Sequence, residues 1–315
     1  MLSRAVEKLC DVLIIGGGPA GLATALGLAR QLHTAVVFDS GVFRNERAHE
    51  LHNVLTWDHR APAEFRAAAR KELLGRYQTI QIEDVTVNNV HQTPDGLFEV
   101  VDAKNRTWAG RKLVLAVGVR DIAPDIPGYA ELWGKAIFHC LFCHGYEDRG
   151  QASVGVLAVG DCAATGPALH LARMARRLAA KVTVYTDGAF ELSQALAEPL
   201  KAAGFELDTR HIVKLAWAAG ESGVSLEFDD GQSTTEGFLV HKPKTEVNGP
   251  FAQQLSLDLT ADGDIAVKAP FYESVSVPGV FAVGDCGSMG KAISQATSTG
   301  LWCSSGLVGQ LQAEG

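Results

Sequence analysis

Four consecutive apolar residues at 12–15 lead into a run of glycines, then into apolar residues at helical spacing over 22–32, then into a second apolar run at 35–38 that closes on Asp39. Short apolar runs bounded by turn residues suit buried strands, and the 3.6-residue period between them suits an amphipathic helix, so this stretch predicts a βαβ unit. The layout recurs as a strand over 154–159, a helix over 164–179 and a strand over 182–186 that closes on Asp187. Between the copies, alternating runs at 80–86, 97–101 and 112–117, with turn signals at Pro94-Asp95-Gly96 and near Ala109-Gly110, predict an antiparallel meander. A last apolar run at 280–283 leads into Gly284-Asp285 and a helix-like stretch from Ala292 onwards. Proline and glycine gather at 121–128 and 242–249, where the chain is expected to cross between domains. The pattern therefore predicts an α/β protein in which residues 1–120 and 245–315 form one discontinuous domain and 121–244 a second, inserted in it.

Composition narrows the function classes. At 315 residues the chain exceeds one ordinary domain of ~100–200 residues. Lys and Arg number 28 against 36 Asp and Glu, a net charge of -8 with no block of like sign, which argues against nucleic acid as a partner. The hydrophobic share of 47% and charged share of 20% exclude a disordered chain. The uncharged stretch 12–29, preceded by Arg4 and Lys8, has the length of a membrane helix, but Gly16, Gly17, Gly18, Pro19 and Gly21 interrupt its centre. No membrane partner is expected, and a cytoplasmic protein is. Six cysteines are too few for a disulfide scaffold, and only Cys140 and Cys143 form a C-x-x-C pair.

Gly16-x-Gly18-x-x-Gly21 follows a strand and opens a helix, with Asp39 at the end of the next strand. The first glycine permits the sharp turn, the second lets a pyrophosphate touch the backbone, and the third lets helix and strand approach. The helix start offers N–H groups to phosphate, and Asp39 would accept hydrogen bonds from a ribose. The second copy diverges. On the same template Ala158-Val159-Gly160-Asp161-Cys162-Ala163 keeps only Gly160, and Thr186-Asp187-Gly188 brings no arginine cluster for a 2'-phosphate. A carboxylate ~4 Å from that phosphate repels it by about 4 kcal/mol at an effective dielectric of 20, roughly a thousandfold in affinity. The expectation is a scaffold that has lost NADPH; the competing reading gives Asp187 the ribose of NADH.

His139-Cys140-Leu141-Phe142-Cys143-His144-Gly145-Tyr146-Glu147 carries the candidate chemistry. Two thiols at this spacing can close a disulfide, and a neighbouring imidazole can lower a thiol pKa or shuttle its proton. Zinc held with His139 or His144 is the competing reading, but Cys10, Cys162, Cys286 and Cys303 are isolated and read as packing residues, so no metal is expected.

With these motifs in place, the chain resembles the low-molecular-weight thioredoxin reductase-like flavoproteins. The likeness rests on Gly16-Gly17-Gly18-Pro19-Ala20-Gly21, the strand end Ala116-Val117-Gly118, and Pro278-Gly279-Val280-Phe281-Ala282-Val283-Gly284-Asp285. The altered second loop, Thr186-Asp187-Gly188, His144 in place of the family's aspartate, and the Arg44-Asn45 to His52-Asn53 loop are similar to the gliotoxin-oxidase, or dithiol oxidase, branch. The resemblance implies two Rossmann-like three-layer domains, the second inserted in the first. Residues 1–120 and 245–315 would bind FAD, and 121–244 would be a degenerate NADPH-like domain carrying the redox pair. It implies oxidation of a small-molecule dithiol to an intramolecular disulfide, with O2 as acceptor and H2O2 as product. Cys140 would exchange with substrate, Cys143 with the flavin, and His144, then His139, would handle protons. For FAD it implies Gly16, Gly18, Pro19, Gly21, Asp39, Ala116, Gly118 and Asp285, with Lys291, Ala292 and Ile293 at a helix start and Arg44 and His52 in a loop over the cofactor. A homodimer is implied as well. A disulfide reductase with an unconventional electron donor, and a flavoprotein that merely sequesters a dithiol, are the alternatives.

Overall fold

The computed structural model describes residues 6–314. In chain order it runs β1 (Val6–Ile15), α1 (Pro19–Arg30), β2 (Ala35–Asp39), α2 (Pro62–Arg76), β3 (Ile80–Asp84), β4 (Val87–Gln92), β5 (Phe98–Asp102), β6 (Thr107–Leu115) and β7 (Val119–Ile122). There follow α3 (Tyr129–Leu132), β8 (Ile137–Phe138), β9 (Gln151–Leu157), α4 (Thr165–Ala175), β10 (Ala179–Tyr185), α5 (Phe190–Ala203), β11 (Glu206–Asp208), β12 (Ile212–Trp217), β13 (Val224–Phe228), β14 (Ser233–Glu236) and β15 (Leu239–Val240). The last part holds β16 (Lys244–Val247), α6 (Phe251–Gln254), β17 (Val267–Lys268), β18 (Glu273–Ser274), β19 (Val280–Ala282) and α7 (Ile293–Ala313). The chain divides into unit 1, Met1–Glu50, Val54–Arg120 and Thr245–Gly315, and unit 2, Leu51–Asn53 and Asp121–Lys244. No helix among the described residues is long and apolar enough to cross a membrane.

Unit 1 is built on parallel pairing of β19, β6, β1, β2 and β3 in that spatial order. Because side chains alternate along a strand, β1 serves two cores at once. Val12 and Ile14 join Leu22, Leu28, Cys303 and Leu307 of the helical layer. Leu13 and Ile15 join Val90, Phe98, Val100 and Trp108 of the β4-β5-β6 meander on the other face. Unit 2 repeats the plan with the parallel order β11-β10-β9-β15-β8. Its α4 and α5 supply Leu171, Ala175, Leu196 and Leu200 to one core, and the β12-β13-β14 sheet supplies Leu215, Val224 and Leu226 to the other. Two three-layer α/β units of the same design result.

Several local expectations change. The expected turn near Ala109-Gly110 is the interior of β6. Gly110 serves close approach there, since a Cβ would lie 2.8 Å from the Leu13 side chain. The run at 80–86 is not the first strand of the meander, because β3 pairs parallel to β2 after the α2 crossover. The first meander strand is β4, which pairs antiparallel to β5. Helix α1 starts at Pro19 rather than at residue 22, using the proline at the first helical position. Helix α4 stops at Ala175, because residue 179 already begins β10.

Helices α1 and α7 meet through small residues. A Cβ on Gly300 would sit 2.4 Å from the Ala20 carbonyl oxygen, a backbone atom that no rotamer change can move, whereas Gly309 of the same helix faces open space. Gly300→Ala is expected to destabilise the protein by about 1–3 kcal/mol. Gly309→Ala is expected to stabilise it by up to about 1 kcal/mol. Urea denaturation of the two variants beside the parent checks both signs.

Candidate functional site

The first glycine loop is set by backbone contact. Gly16 adopts φ +121°, and a Cβ there would lie 2.1 Å from the Ala116 carbonyl oxygen at the end of β6. Gly21 approaches Gly16 in turn, its missing Cβ 2.0 Å from the Gly16 oxygen. Gly18 precedes Pro19 at the start of α1 and faces open space. Gly17, which the motif leaves unspecified, is required by Asp39, because a Cβ would fall 2.3 Å from that carboxyl group. Asp39 is 6% exposed, accepts the Gly41 N–H at 2.9 Å and accepts from Arg70 at 2.6 Å. Sequence reasoning missed Arg70, which also binds Asp84 at 2.6 Å.

The remaining unit 1 candidates join this loop. Gly118 has φ +66°, and Asn248 holds the strand end by donating to the Val117 oxygen at 3.0 Å. The turn Gly284–Cys286 follows β19, and Gly284, at φ +69°, lies against Ala20. Asp285 pairs with Arg44 at 3.0 Å. The Lys291 ammonium donates to Asp264 at 2.8 Å, to the Asp285 carbonyl at 2.8 Å and to the Ser288 carbonyl at 3.1 Å. Its side chain thus ties down the loop that leads to Ala292 and Ile293 at the start of α7.

His52 belongs to unit 2, as does the C-x-x-C motif. Cys140 and Cys143 are joined in a disulfide with Cα atoms 5.3 Å apart. The turn is helical in pattern, with the Cys143 and His144 N–H groups donating to the Cys140 oxygen at 3.1 and 3.0 Å. His52 Nδ1 lies 2.7 Å from the Cys143 carbonyl oxygen, so Nδ1 carries the proton and Nε2 turns to Glu147 at 3.4 Å. Asn53 Nδ2 donates to the Phe142 oxygen. The His144 ring stacks on Phe138 with centroids 5.1 Å apart. Burial holds the His144 pKa below the ordinary imidazole value, and nearby His52 adds to that effect against Glu147. His139 packs on Trp133, which stacks on Tyr129. Both cysteines are half-buried and Phe142 between them is exposed.

The second loop takes a different form from the first. Residues 158–162 and 282–286 share the pentapeptide Ala-Val-Gly-Asp-Cys, and Gly160–Cys162 folds as the same single 3-10 turn as Gly284–Cys286. The first-glycine template therefore does not apply at Ala158, which is buried in β9's extension with its N–H bonded to the Tyr185 oxygen at 2.8 Å. Gly160 alone takes the left-handed conformation, at φ +54°. Asp187 is engaged within the unit, accepting the Ile212 N–H at 2.7 Å and lying 2.9 Å from His211 Nδ1. Arg210 is likewise bound by Asp208 at 2.6 Å and Asp230 at 3.3 Å. Cys10, Cys162, Cys286 and Cys303 are all buried and take no part in the disulfide, as their isolated positions suggest.

Residues 10–300 match the family model described as pyridine nucleotide-disulphide oxidoreductase. The chain belongs to the pyridine nucleotide-disulphide oxidoreductase family. It is similar to the thioredoxin reductase aclD of Aspergillus oryzae, with 49% identity over 305 residues and 96% of each chain covered. It is also similar to the thioredoxin reductase sirT of Leptosphaeria maculans, with 44% identity over 307 residues, 95% of this chain and 94% of that one. An oxidoreductase from Agrobacterium tumefaciens has the same fold, with a TM-score of 0.87, 30% identity, and 97% and 99% of the two chains covered. The resemblance drawn from the glycine loop and the Gly284-Asp285 motif is borne out. Members of this family are flavoproteins, and unit 1 fits a dinucleotide. Gly18 leaves the start of α1 open, and Asp39, although bound to Gly41 and Arg70, keeps further lone pairs for a ribose.

One buried group beside the second loop makes a pH prediction. His241 is 1% exposed, accepts a hydrogen bond from the Tyr129 hydroxyl at Nδ1 over 2.8 Å and faces the Val159 oxygen with Nε2 at 3.3 Å. Burial lowers its pKa from 6.5 to about 4. The unfolded chain therefore takes up the proton first as pH falls, so stability is full above pH 6.5 and declines towards pH 4. The loss from this residue is expected to reach about 3 kcal/mol at one pKa unit per ~1.4 kcal/mol. His241→Gln, which keeps a donor and an acceptor without titrating, should flatten the slope between pH 7 and pH 4.5 in urea denaturation.

Proposed function

We propose that the protein is an FAD-dependent dithiol oxidase that closes an intramolecular disulfide in a small-molecule dithiol, with O2 as acceptor and H2O2 as product. On this reading unit 1 is the FAD-binding domain. The loop Gly16, Gly18, Pro19 and Gly21 would take the pyrophosphate, Asp39 the ribose, and Asp285 a ribityl hydroxyl. Ala116, Gly118, Arg44 and the helix start at Ala292 and Ile293 would line the rest of the group. Unit 2 is a degenerate NADPH-like domain that carries the redox pair. The observation that carries the proposal is the contrast between the two nucleotide loops. The first is shaped by Gly16 and Gly21, whereas the second is a single 3-10 turn at Gly160–Cys162 without that glycine pair, and Asp187, His211 and Arg210 are spent on one another and their neighbours. Electrons then have to enter through sulfur.

A substrate thiolate attacks Cys140 Sγ and displaces Cys143 as a thiolate. The second substrate thiolate attacks the substrate sulfur of the mixed disulfide and expels Cys140, so the substrate leaves with an S–S bond and the pair is left reduced. Burial keeps His144 neutral near pH 7, which suits it to accept a thiol proton. Bound FAD would supply the two-electron acceptor for the reduced pair and the donor to oxygen. Similarity to the Cys-Leu-Phe-Cys-His-Gly-Tyr-Glu pattern of the gliotoxin-oxidase branch supports the substrate class. The names of the relatives favour one second reading, a disulfide reductase fed by a nicotinamide nucleotide.

Anaerobic mixing of the flavin-loaded protein with dithiothreitol and with a cyclic-dipeptide dithiol separates the two. Bleaching of the flavin by the dithiol, and its recovery in air with one H2O2 per disulfide, is the expected result. Cys140→Ser or Cys143→Ser should abolish the dithiol-driven bleaching. Bleaching by NADPH or NADH with no response to dithiols would establish the reductase instead.

A further inference from the structure

Leu51–Asn53 groups with unit 2, although Glu50 and Val54 on either side belong to unit 1. Its two polar side chains grip consecutive carbonyls inside the C-x-x-C turn. His52 donates through Nδ1 to Cys143 at 2.7 Å, and Asn53 donates through Nδ2 to Phe142. These contacts span 91 and 89 residues of sequence, so local folding of the turn does not create them. Neighbouring side chains of an extended strand point to opposite faces, and Asn53, at φ +58°, adopts the left-handed conformation that asparagine tolerates and that lets both donors meet one turn. Glu147 Oε1 lies 3.4 Å from His52 Nε2 on the other side of the ring.

We propose that His52, with Asn53, is a positioning residue for the redox pair, holding the 142–143 half of the turn in disulfide-ready geometry and so favouring the oxidised form of Cys140 and Cys143. The inference rests on the reading of that pair as the redox centre. The physical reason is entropic. Closing the disulfide fixes the turn, and a turn already fixed by outside donors loses less freedom on closure than a loose one. The clamp acts on carbonyl groups and leaves both sulfurs accessible to exchange, which separates its role from that of His144.

Equilibration with glutathione tests this directly. In the reaction the Cys140–Cys143 disulfide and two glutathione thiols give the protein dithiol and glutathione disulfide, and the dithiol fraction is counted by anaerobic maleimide trapping of the flavin-loaded, full-length protein. His52→Ala is expected to shift the equilibrium about tenfold towards the dithiol, a potential about 30 mV more positive for a two-electron couple. Asn53→Ala should move it in the same direction. His52→Asn places an amide N–H near the Nδ1 position and should restore most of the parent value, which a purely structural loss of the loop would not allow. Exposed Glu64→Ala should leave it unchanged. An unshifted equilibrium in a folded His52→Ala protein overturns the clamp even if the enzyme oxidises dithiols in air. A shift that His52→Asn reverses supports the clamp even if it does not, and the failure would then lie with the proposed activity.

Discussion

Unit 1 depends on one constraint: three backbone segments meet where no side chain can fit. A Cβ on Gly16 would strike the Ala116 oxygen, and one on Gly21 would strike the Gly16 oxygen. Such approaches are available only to glycine, and they bring β1, β6 and α1 to one point at the carboxyl ends of parallel strands. The Gly17–Asp39 contact adds β2 to the same point, and the Gly284–Ala20 contact adds the turn before α7. The cradle is therefore a by-product of packing as much as of ligand recognition. The open space at Gly18 is the part that packing does not use.

The internal repeat shows how one scaffold can serve two ends. The pentapeptide Ala-Val-Gly-Asp-Cys folds into the same turn in both units, and in both its cysteine is a hydrogen-bonded structural thiol. Burial raises the Cys286 pKa to about 12 and raises that of Cys162 as well. Thiolate chemistry is thereby withheld from these two buried sites. The charges at the strand ends of unit 2 follow the same logic. Asp187 lies 2.9 Å from His211 Nδ1, and Arg210 is held between Asp208 and Asp230, so these side chains are engaged within the unit.

Much of this was legible in the sequence. Buried parallel strands are short continuous apolar runs, and the two βαβ units stood out for that reason. Helix α2 did not, because only Pro62 and Leu73 of its residues are buried and no apolar stripe marks it. Gly110 was misread as a turn because a glycine that accommodates a neighbour and one that reverses the chain look alike in sequence. The β12-β13-β14 sheet carried a usable signal, since Val224, Leu226 and Phe228 alternate with polar residues. In the site, the glycines and cysteines announced themselves by spacing. The partners of Asp39 and Cys143 did not, because Arg70 and His52 lie 31 and 91 residues away and reach them only through the fold.

His52 and His144 are best understood together. Their ring centroids are 6.4 Å apart, a separation at which two positive charges repel by about 3 kcal/mol at an effective dielectric of 20, before solvent screening. A positive charge on His144 is therefore disfavoured beside His52. Burial, with the ring stacked on Phe138, disfavours the His144 cation further, and Glu147 partly opposes that effect. On the proposed reading, a thiol proton accepted by His144 would be held weakly and readily given up again. Disulfide exchange needs that behaviour, because each thiol must lose its proton to attack and each leaving thiolate must be able to regain one. On the proposed reading, the positioning of the sulfurs and the handling of their protons fall to two different imidazoles, His52 from a distant loop and His144 from the motif itself.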